Sequence, residues 1–198
     1  MANHIVEETS HEEASADRAM FGFWVYLMTD LLMFTVLFAV FAVLHGNTNG
    51  GPSGRELFNL KLALLETILL LTSSFTCGIG MIQAREGKTN QVMAWFGATL
   101  LLGLVFLSLE LNEFSKLIHE GHTLSSSAFL SAFFILVGTH GLHIIIGILW
   151  MALVLAYIKK RGLSPYMVRK LNLLSLYWHF LDLVWIFIFT IVYLRAFI

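Results

Sequence analysis

The chain has 198 residues, of which 58% are hydrophobic and only 13% are charged, with a formal net charge of −1. Soluble globular domains contain about 25% charged residues. This deficit, together with 17 Phe and 5 Trp residues, excludes an ordinary soluble domain and predicts an all-α membrane protein with several spans. The single cysteine, Cys77, excludes an internal disulfide and a metal site built from several cysteines.

The N-terminal segment, residues 1–20, is acidic and contains one basic residue, Arg18. A secretory signal peptide begins with basic residues, and a transit peptide avoids acidic ones. We therefore predict that residues 1–20 form a mobile, solvated tail. A single transmembrane domain is expected to occupy residues 21–198.

Five apolar stretches follow in chain order. Each is long enough to cross a hydrocarbon layer of about 30 Å, which takes about 20 helical residues. The connectors between them are polar and rich in Gly, Ser or basic residues, which are typical of loops. The five predicted spans of this helical bundle cover residues 21–44, 57–82, 92–118, 128–158 and 171–197.

The distribution of basic residues predicts the orientation in the membrane. If the N-terminus is cytoplasmic, 8 of the 12 Lys and Arg residues lie on the cytoplasmic side. Short cytoplasmic segments carry an excess of Lys and Arg. We therefore expect a cytoplasmic N-terminus and a periplasmic C-terminus, mainly because of the basic connector between Lys159 and Lys170.

Every span contains acidic residues or histidines, whereas Lys and Arg occur only near the ends of the spans. A charge at the centre of a bilayer costs roughly 2.5–3.5 kcal/mol on insertion scales, so such side chains face the interior of a bundle. The candidate buried polar residues are Asp30, Glu66, Glu110, His140, His143, His179 and Asp182.

The depth of these residues suggests which of them meet. At a rise of 1.5 Å per residue from the cytoplasmic end of each span, Asp30 lies roughly 14 Å deep, near His179 and Asp182. Glu66, Glu110 and the two histidines of the fourth span lie roughly 24–28 Å deep. We therefore predict two polar layers, with Asp30 as a clamp between the first and fifth spans.

Two pairs three residues apart suggest further interpretations. Glu110 shares a helical face with Glu113, and His140 shares one with His143. A haem or metal site at the histidine pair is an alternative, but zinc sites usually need three or four protein ligands. We predict no catalytic group, cofactor or metal in the chain. A haem-binding membrane anchor and a proton-coupled transporter stay as alternative functions, and nucleic-acid binding has no support.

Three stretches, in their order and spacing, resemble subunit III of the haem–copper respiratory oxidases: GFWVYLMTDLLMF, SAFFILVGTHGLHIIIGILWM and LYWHFLDLVWIFIFTIVYL. The specific parts are HGLH and WHF-x-D. The cytochrome c oxidase branch usually carries two further N-terminal helices and often has Glu at the position of Asp30. The number of spans and the segments ETILLLTSS and NEF resemble subunit III of the bacterial cytochrome bo-type ubiquinol oxidases.

The resemblance implies an accessory subunit of a proton-pumping ubiquinol oxidase in the bacterial inner membrane. Subunit III of a cytochrome c oxidase is the alternative. In this family subunit I holds the haems and copper, and subunit III packs on subunit I, alongside subunits II and IV. Subunit III also binds phospholipid in a cleft and supports assembly and sustained turnover. The polar residues of the spans would then have structural and lipid-associated roles.

Overall fold

The computed structural model describes the backbone of residues 2–48, 50, 54–123 and 125–197, and side chains within these ranges from residue 18 onward, except at position 56. The described residues form helices and connecting turns, with no strand among them. The helices are α1 (Ala2–Leu44), α2 (Gly54–Leu57), α3 (Leu60–Arg85), α4 (Thr89–His119), α5 (Ala128–Arg161) and α6 (Pro165–Ile188). A π-helical turn, Phe189–Tyr193, and a 3₁₀ turn, Leu194–Phe197, continue α6.

Within the described ranges, five helical segments are long and apolar enough to cross a membrane, which confirms the predicted fold class and number of spans. They are Arg18–Leu44, Leu60–Arg85, Thr89–His119, Ala128–Arg161 and Pro165–Phe197. The largest difference from the predicted boundaries lies at the start of the chain. Because α1 begins at Ala2, the backbone of the acidic segment is helical and continuous with the first span. The mobility of that segment and the orientation of the bundle stay predictions.

Local capping explains where three of the long helices begin. The side-chain oxygens of Asn59, Ser127 and Ser164 accept backbone N–H groups in the first turns of α3, α5 and α6. Such caps pair N–H groups that the helix itself leaves free. At the other end of α5, Gly162 adopts φ 77°, a conformation that favours glycine and ends the helix.

The helices α3, α4, α5 and α6 form the centre of the bundle. α3 packs along α4, and α6 lies against both α3 and α5. α1 is peripheral: it packs on α5 and, over a shorter length, on α6. Much of its surface is exposed, including the large side chains of Trp24, Met28 and Leu32.

Trp178 of α6 is a packing centre shared by four helices. Its indole N–H donates to the Ser73 hydroxyl of α3 at 3.0 Å. Its ring lies so close to Gly103 of α4 and Gly147 of α5 that an added Cβ would meet it at 2.8 and 3.1 Å, respectively. Small residues permit such close approach between membrane helices. The two glycines therefore make the space that the indole ring occupies.

Replacing Gly103 with Ala is expected to destabilise the bundle, because the new methyl group would overlap the Trp178 ring. Overpacking of this kind costs about 1–3 kcal/mol. Gly97→Ala is the matched control on the same helix, since a Cβ there meets nothing within 4 Å. Thermal denaturation of the purified protein in detergent should show a lower midpoint for Gly103→Ala alone. Equal midpoints for the two variants would contradict the packing role of the indole.

Candidate functional site

The first buried polar group joins α1, α5 and α6, and we call it the Asp30 group (Tyr26, Asp30, His143 and Tyr177). Oδ2 of Asp30 lies 3.7 Å from Nε2 of His143, and each side chain is only 12% exposed. The Tyr26 hydroxyl, one turn before Asp30, lies beside the Asp30 carboxylate and the Tyr177 hydroxyl. Tyr177 also donates to the backbone carbonyl of His143 at 3.1 Å. Three helices thus meet at one carboxylate.

The hydrogen bonds of His143 define how it can interact with Asp30. Nδ1 of His143 lies 2.7 Å from the carbonyl oxygen of Thr139. Because a carbonyl oxygen only accepts, Nδ1 carries a hydrogen. Nε2 faces Oδ2 of Asp30 at 3.7 Å, which is a close polar contact but longer than a hydrogen bond. The imidazole gives Asp30 a polar neighbour on another helix, which reduces the cost of placing an acid in the membrane.

This arrangement corrects the predicted layer of Asp30 with His179 and Asp182. The ion-pair partner of Asp30 is His143, on the fourth span, and α6 contributes Tyr177 instead. The depth estimate was wrong because it measured each residue from the end of its own helix. α5 is 34 residues long, or about 51 Å, so it extends beyond a hydrocarbon layer of about 30 Å.

The second group, which we call the Ser74 group (Ser74, His179 and Asp182), joins α3 to α6. The Ser74 hydroxyl lies 2.6 Å from Nδ1 of His179 and beside the Asp182 carboxylate. Asp182 is buried, as expected, but His179 is exposed on the surface of the chain. Residues three apart on a helix differ by about 60° around its axis. The pair therefore straddles the boundary between the interior and the surface, which corrects the prediction that His179 is buried.

His140 is fully buried but belongs to neither predicted layer. Its ring centroid lies 6.4 Å from that of Phe34, 6.2 Å from that of Phe106 and 5.5 Å from that of Trp185. Neither ring nitrogen has a hydrogen-bond partner among the described residues. Within the described part of the chain, no group with metal-ligand spacing contains this histidine. His143 contacts Asp30 instead, so the prediction that both histidines form one layer with Glu66 and Glu110 is wrong.

The third group is the carboxylate cluster, formed by Glu66 of α3 and by Glu110 and Glu113 of α4. One oxygen from each residue lies within 4.8 Å of the others. The Tyr193 hydroxyl donates to Oε2 of Glu113 at 3.0 Å. The structure thus brings Glu66 and Glu110 together, with Glu113 rather than histidine as the third member.

At the carboxylate cluster, the sequence analysis missed Glu113 and Tyr193, for different reasons. Glu113 was not a candidate site residue, although its spacing of three residues from Glu110 was an available signal. Tyr193 lies in the π-helical turn Phe189–Tyr193, which shifts the direction of the side chains that follow α6. π-helical turns are frequent at functional sites, but regular helical spacing does not predict them.

Comparison with known proteins assigns this arrangement of helices to a family. The family model described as cytochrome c oxidase subunit III matches residues 2–197. The chain belongs to the cytochrome c oxidase subunit III family. The resemblance drawn from the HGLH and WHF-x-D motifs is therefore confirmed. Both motifs contribute to the polar groups of the bundle, through His143 and Asp182.

Relatives within the family carry both quinol and cytochrome c oxidase names. Cytochrome bo(3) ubiquinol oxidase subunit 3 of Pseudomonas aeruginosa is 49% identical over 195 residues, which cover 98% of this chain and 93% of the relative. Quinol oxidase subunit 3 of Bacillus subtilis is 51% identical, with coverage of 88% and 86%. Cytochrome c oxidase subunit 3 of Bacillus sp. strain PS3 is 46% identical, with coverage of 88% and 84%. The chain is thus similar over nearly its whole length to subunits of respiratory oxidases.

Two substitutions of Asp30 should have different effects on stability. Asp30→Asn keeps the shape and hydrogen-bonding capacity, and polar pairs in membrane bundles contribute only about 0.6 kcal/mol on average. Asp30→Leu removes the partner of His143 and leaves buried donors unpaired, which costs about 1–3 kcal/mol. The midpoint of thermal denaturation should therefore fall clearly for Asp30→Leu and only slightly for Asp30→Asn.

A double-mutant cycle tests whether this loss belongs to the Asp30–His143 contact. Asp30→Leu and His143→Leu should each lower the free energy of unfolding. The double variant should lose less stability than the two single variants combined, because the effects of substituting two residues in contact are not additive. Additive losses would show that the two side chains act independently.

Proposed function

We propose that this chain is the non-redox accessory subunit III of a proton-pumping terminal ubiquinol oxidase in the bacterial inner membrane. The match over residues 2–197 to the subunit III family carries the proposal. Relatives from Pseudomonas aeruginosa and Bacillus subtilis that are named as ubiquinol or quinol oxidase subunits support quinol as the electron donor. In this proposal the haems and copper belong to subunit I, and this chain contributes structure to the complex.

The surroundings of the membrane histidines support a role without a redox centre. A haem ligand needs a ring nitrogen directed at the iron, in a space that accepts the macrocycle. Aromatic rings surround His140. The nitrogens of His143 face Thr139 and Asp30, and Nδ1 of His179 contacts Ser74. These contacts favour structural histidines over the alternative of a haem-binding anchor.

The partner surface in this proposal is a membrane face. The connectors between the spans are short compared with the area that a stable interface buries, about 1,200 Å² or more. The long helices, in contrast, expose many large apolar side chains, such as Trp24, Leu32, Leu101 and Leu153. We propose that subunit I packs on such a face, with subunits II and IV close by. In this proposal, phospholipid covers the apolar helix faces that the other subunits leave exposed.

Subunit III of a cytochrome c oxidase is the second candidate, because the relative from Bacillus sp. strain PS3 carries that name. The two candidates differ in the electron donor and not in the expected role of this chain. A transporter function has less support, because such sites are built on helices broken within the membrane. Pro165 is the first residue of the fifth span and Pro52 precedes the second, so neither proline interrupts a span. Transport by the isolated chain in vesicles would test that alternative directly.

Purification through an affinity tag on this chain, in mild detergent, tests the proposal. Mass spectrometry should find a large haem–copper subunit, the visible spectrum should show haem, and the preparation should oxidise ubiquinol with oxygen. Oxidation of reduced cytochrome c but not of ubiquinol would support the second candidate instead. An unrelated tagged membrane protein, purified in parallel, controls for contamination with oxidase.

The same chain, expressed and purified without its partners, tests the non-redox role. We expect it to show no Soret band and to contain no copper, because its histidines interact with side chains and backbone of the chain itself. A Soret band in the isolated, folded chain would contradict the proposed division of labour and favour the haem-binding anchor.

A further inference from the structure

Four oxygen atoms in the carboxylate cluster have no hydrogen-bond partner in the part of the chain that the structure describes. Glu66 is fully buried and Glu110 is 2% exposed. Neither oxygen of either side chain accepts a hydrogen bond from a described residue. Buried polar groups in proteins are almost always hydrogen-bonded or bound to an ion. These oxygens therefore require an occupant beyond the described side chains.

The charges around the cluster indicate what kind of occupant fits. Three carboxylates carry up to three negative charges, and Lys116, one turn after Glu113 on α4, interacts electrostatically with Glu113. No other Lys or Arg of the described part of the chain contributes to the electrostatics of the three carboxylates. The neighbouring α6 segment supplies only the Tyr193 hydroxyl. A divalent cation together with Lys116 would balance the charge.

The distances between the oxygens are short enough for one hard cation to bind all three side chains. Ca²⁺ binds oxygen at about 2.3–2.6 Å, so ligands on opposite sides of it are about 4.6–5.2 Å apart. The oxygens of Glu66, Glu110 and Glu113 lie within 4.8 Å of one another, which fits inside this shell. Mg²⁺ usually keeps several waters and is rarely held by protein ligands alone, so a buried site of three carboxylates suits Ca²⁺ better. An all-oxygen ligand set also disfavours zinc and copper, which prefer nitrogen and sulfur ligands.

We propose that Glu66, Glu110 and Glu113 bind a calcium ion, a structural site that goes beyond the proposed oxidase function. The three side chains offer up to six carboxylate oxygens, and Ca²⁺ takes about six to eight ligands. The ion links α3 to α4 next to the π-helical turn. Glu66 and Glu113 each lie six residues from the nearer end of their helices, or about 9 Å. In the predicted orientation, the ion enters from the periplasmic side.

Calcium binding to the purified complex tests this site. The complex is first stripped with EGTA, and binding of ⁴⁵Ca²⁺ is then measured by equilibrium dialysis in the presence of a tenfold excess of Mg²⁺. Complexes with Glu66→Gln or Glu110→Gln should bind one Ca²⁺ fewer than the wild-type complex. Glu120→Gln, at the exposed end of α4, is the matched control and should bind the wild-type amount. Equal binding by all four complexes, or no binding to wild type, would overturn the proposal.

A measurement on the unaltered complex keeps the proposal testable if the variants fail to assemble. Metal ligands must be deprotonated to bind, so Ca²⁺ displaces protons from the cluster. The infrared difference spectrum between Ca²⁺ and EGTA should therefore show a loss of protonated carboxyl absorption and a gain of carboxylate absorption. An unchanged carboxyl region would mean that the cluster holds protons only, and the calcium site would be rejected.

Discussion

The hydrocarbon core of a bilayer offers no water to polar groups, so each of them must find a partner inside the protein. In this bundle the buried polar side chains are concentrated at contacts between helices. The Asp30 group joins α1, α5 and α6, the Ser74 group joins α3 and α6, and the carboxylate cluster joins α3 and α4. The α6 segment takes part in all three, because Tyr193 beyond its end reaches the third. This segment therefore takes part in each of the three polar groups that connect the helices.

Hydrogen bonds between α3 and its neighbours extend the same pattern. The indole N–H groups of Trp178 and Trp185 donate to hydroxyls of Ser73 and Thr67. The Thr76 hydroxyl lies 2.8 Å from that of Thr99 on α4. Large rings and small hydroxyl or glycine positions thus alternate along the interface. In lipid, an apolar helix surface packs equally well against another helix or against lipid tails. Close packing and hydrogen bonds between helices therefore drive their association.

The sequence predicted the features that depend on local hydropathy. Each span needs about 20 apolar residues, and polar connectors separate one span from the next, so the number and approximate position of the spans could be read directly. The burial of Glu66, Glu110 and Asp182 could also be predicted, because an unpaired charge is too costly in lipid. The family assignment rested on short motifs around His143 and Asp182.

The contacts between helices could not be predicted from the sequence, for physical reasons that the structure identifies. Pairing depends on how far each helix extends past the membrane, and the length of α5 moved His143 to the level of Asp30. The outward position of His179 depends on a rotation of about 60° around α6. The approach of Tyr193 to Glu113 depends on a π-helical turn. Residue spacing gives the angle between two side chains but not which of them faces the interior, and it shows neither the helix ends nor the π-helical turn.

The long separation between Asp30 and its ion-pair partner has a consequence for biosynthesis. His143 emerges from the ribosome about 110 residues after Asp30, which takes roughly 6–20 s at about 5–20 residues per second. During that time α1 enters the membrane before α5 exists, so Asp30 cannot yet contact His143. Tyr26, one turn away on α1 and beside the carboxylate, is already present. Tyr26 can therefore contact Asp30 as soon as α1 has formed. The contact between Asp30 and His143 forms only after α5 has been synthesised and packs against α1.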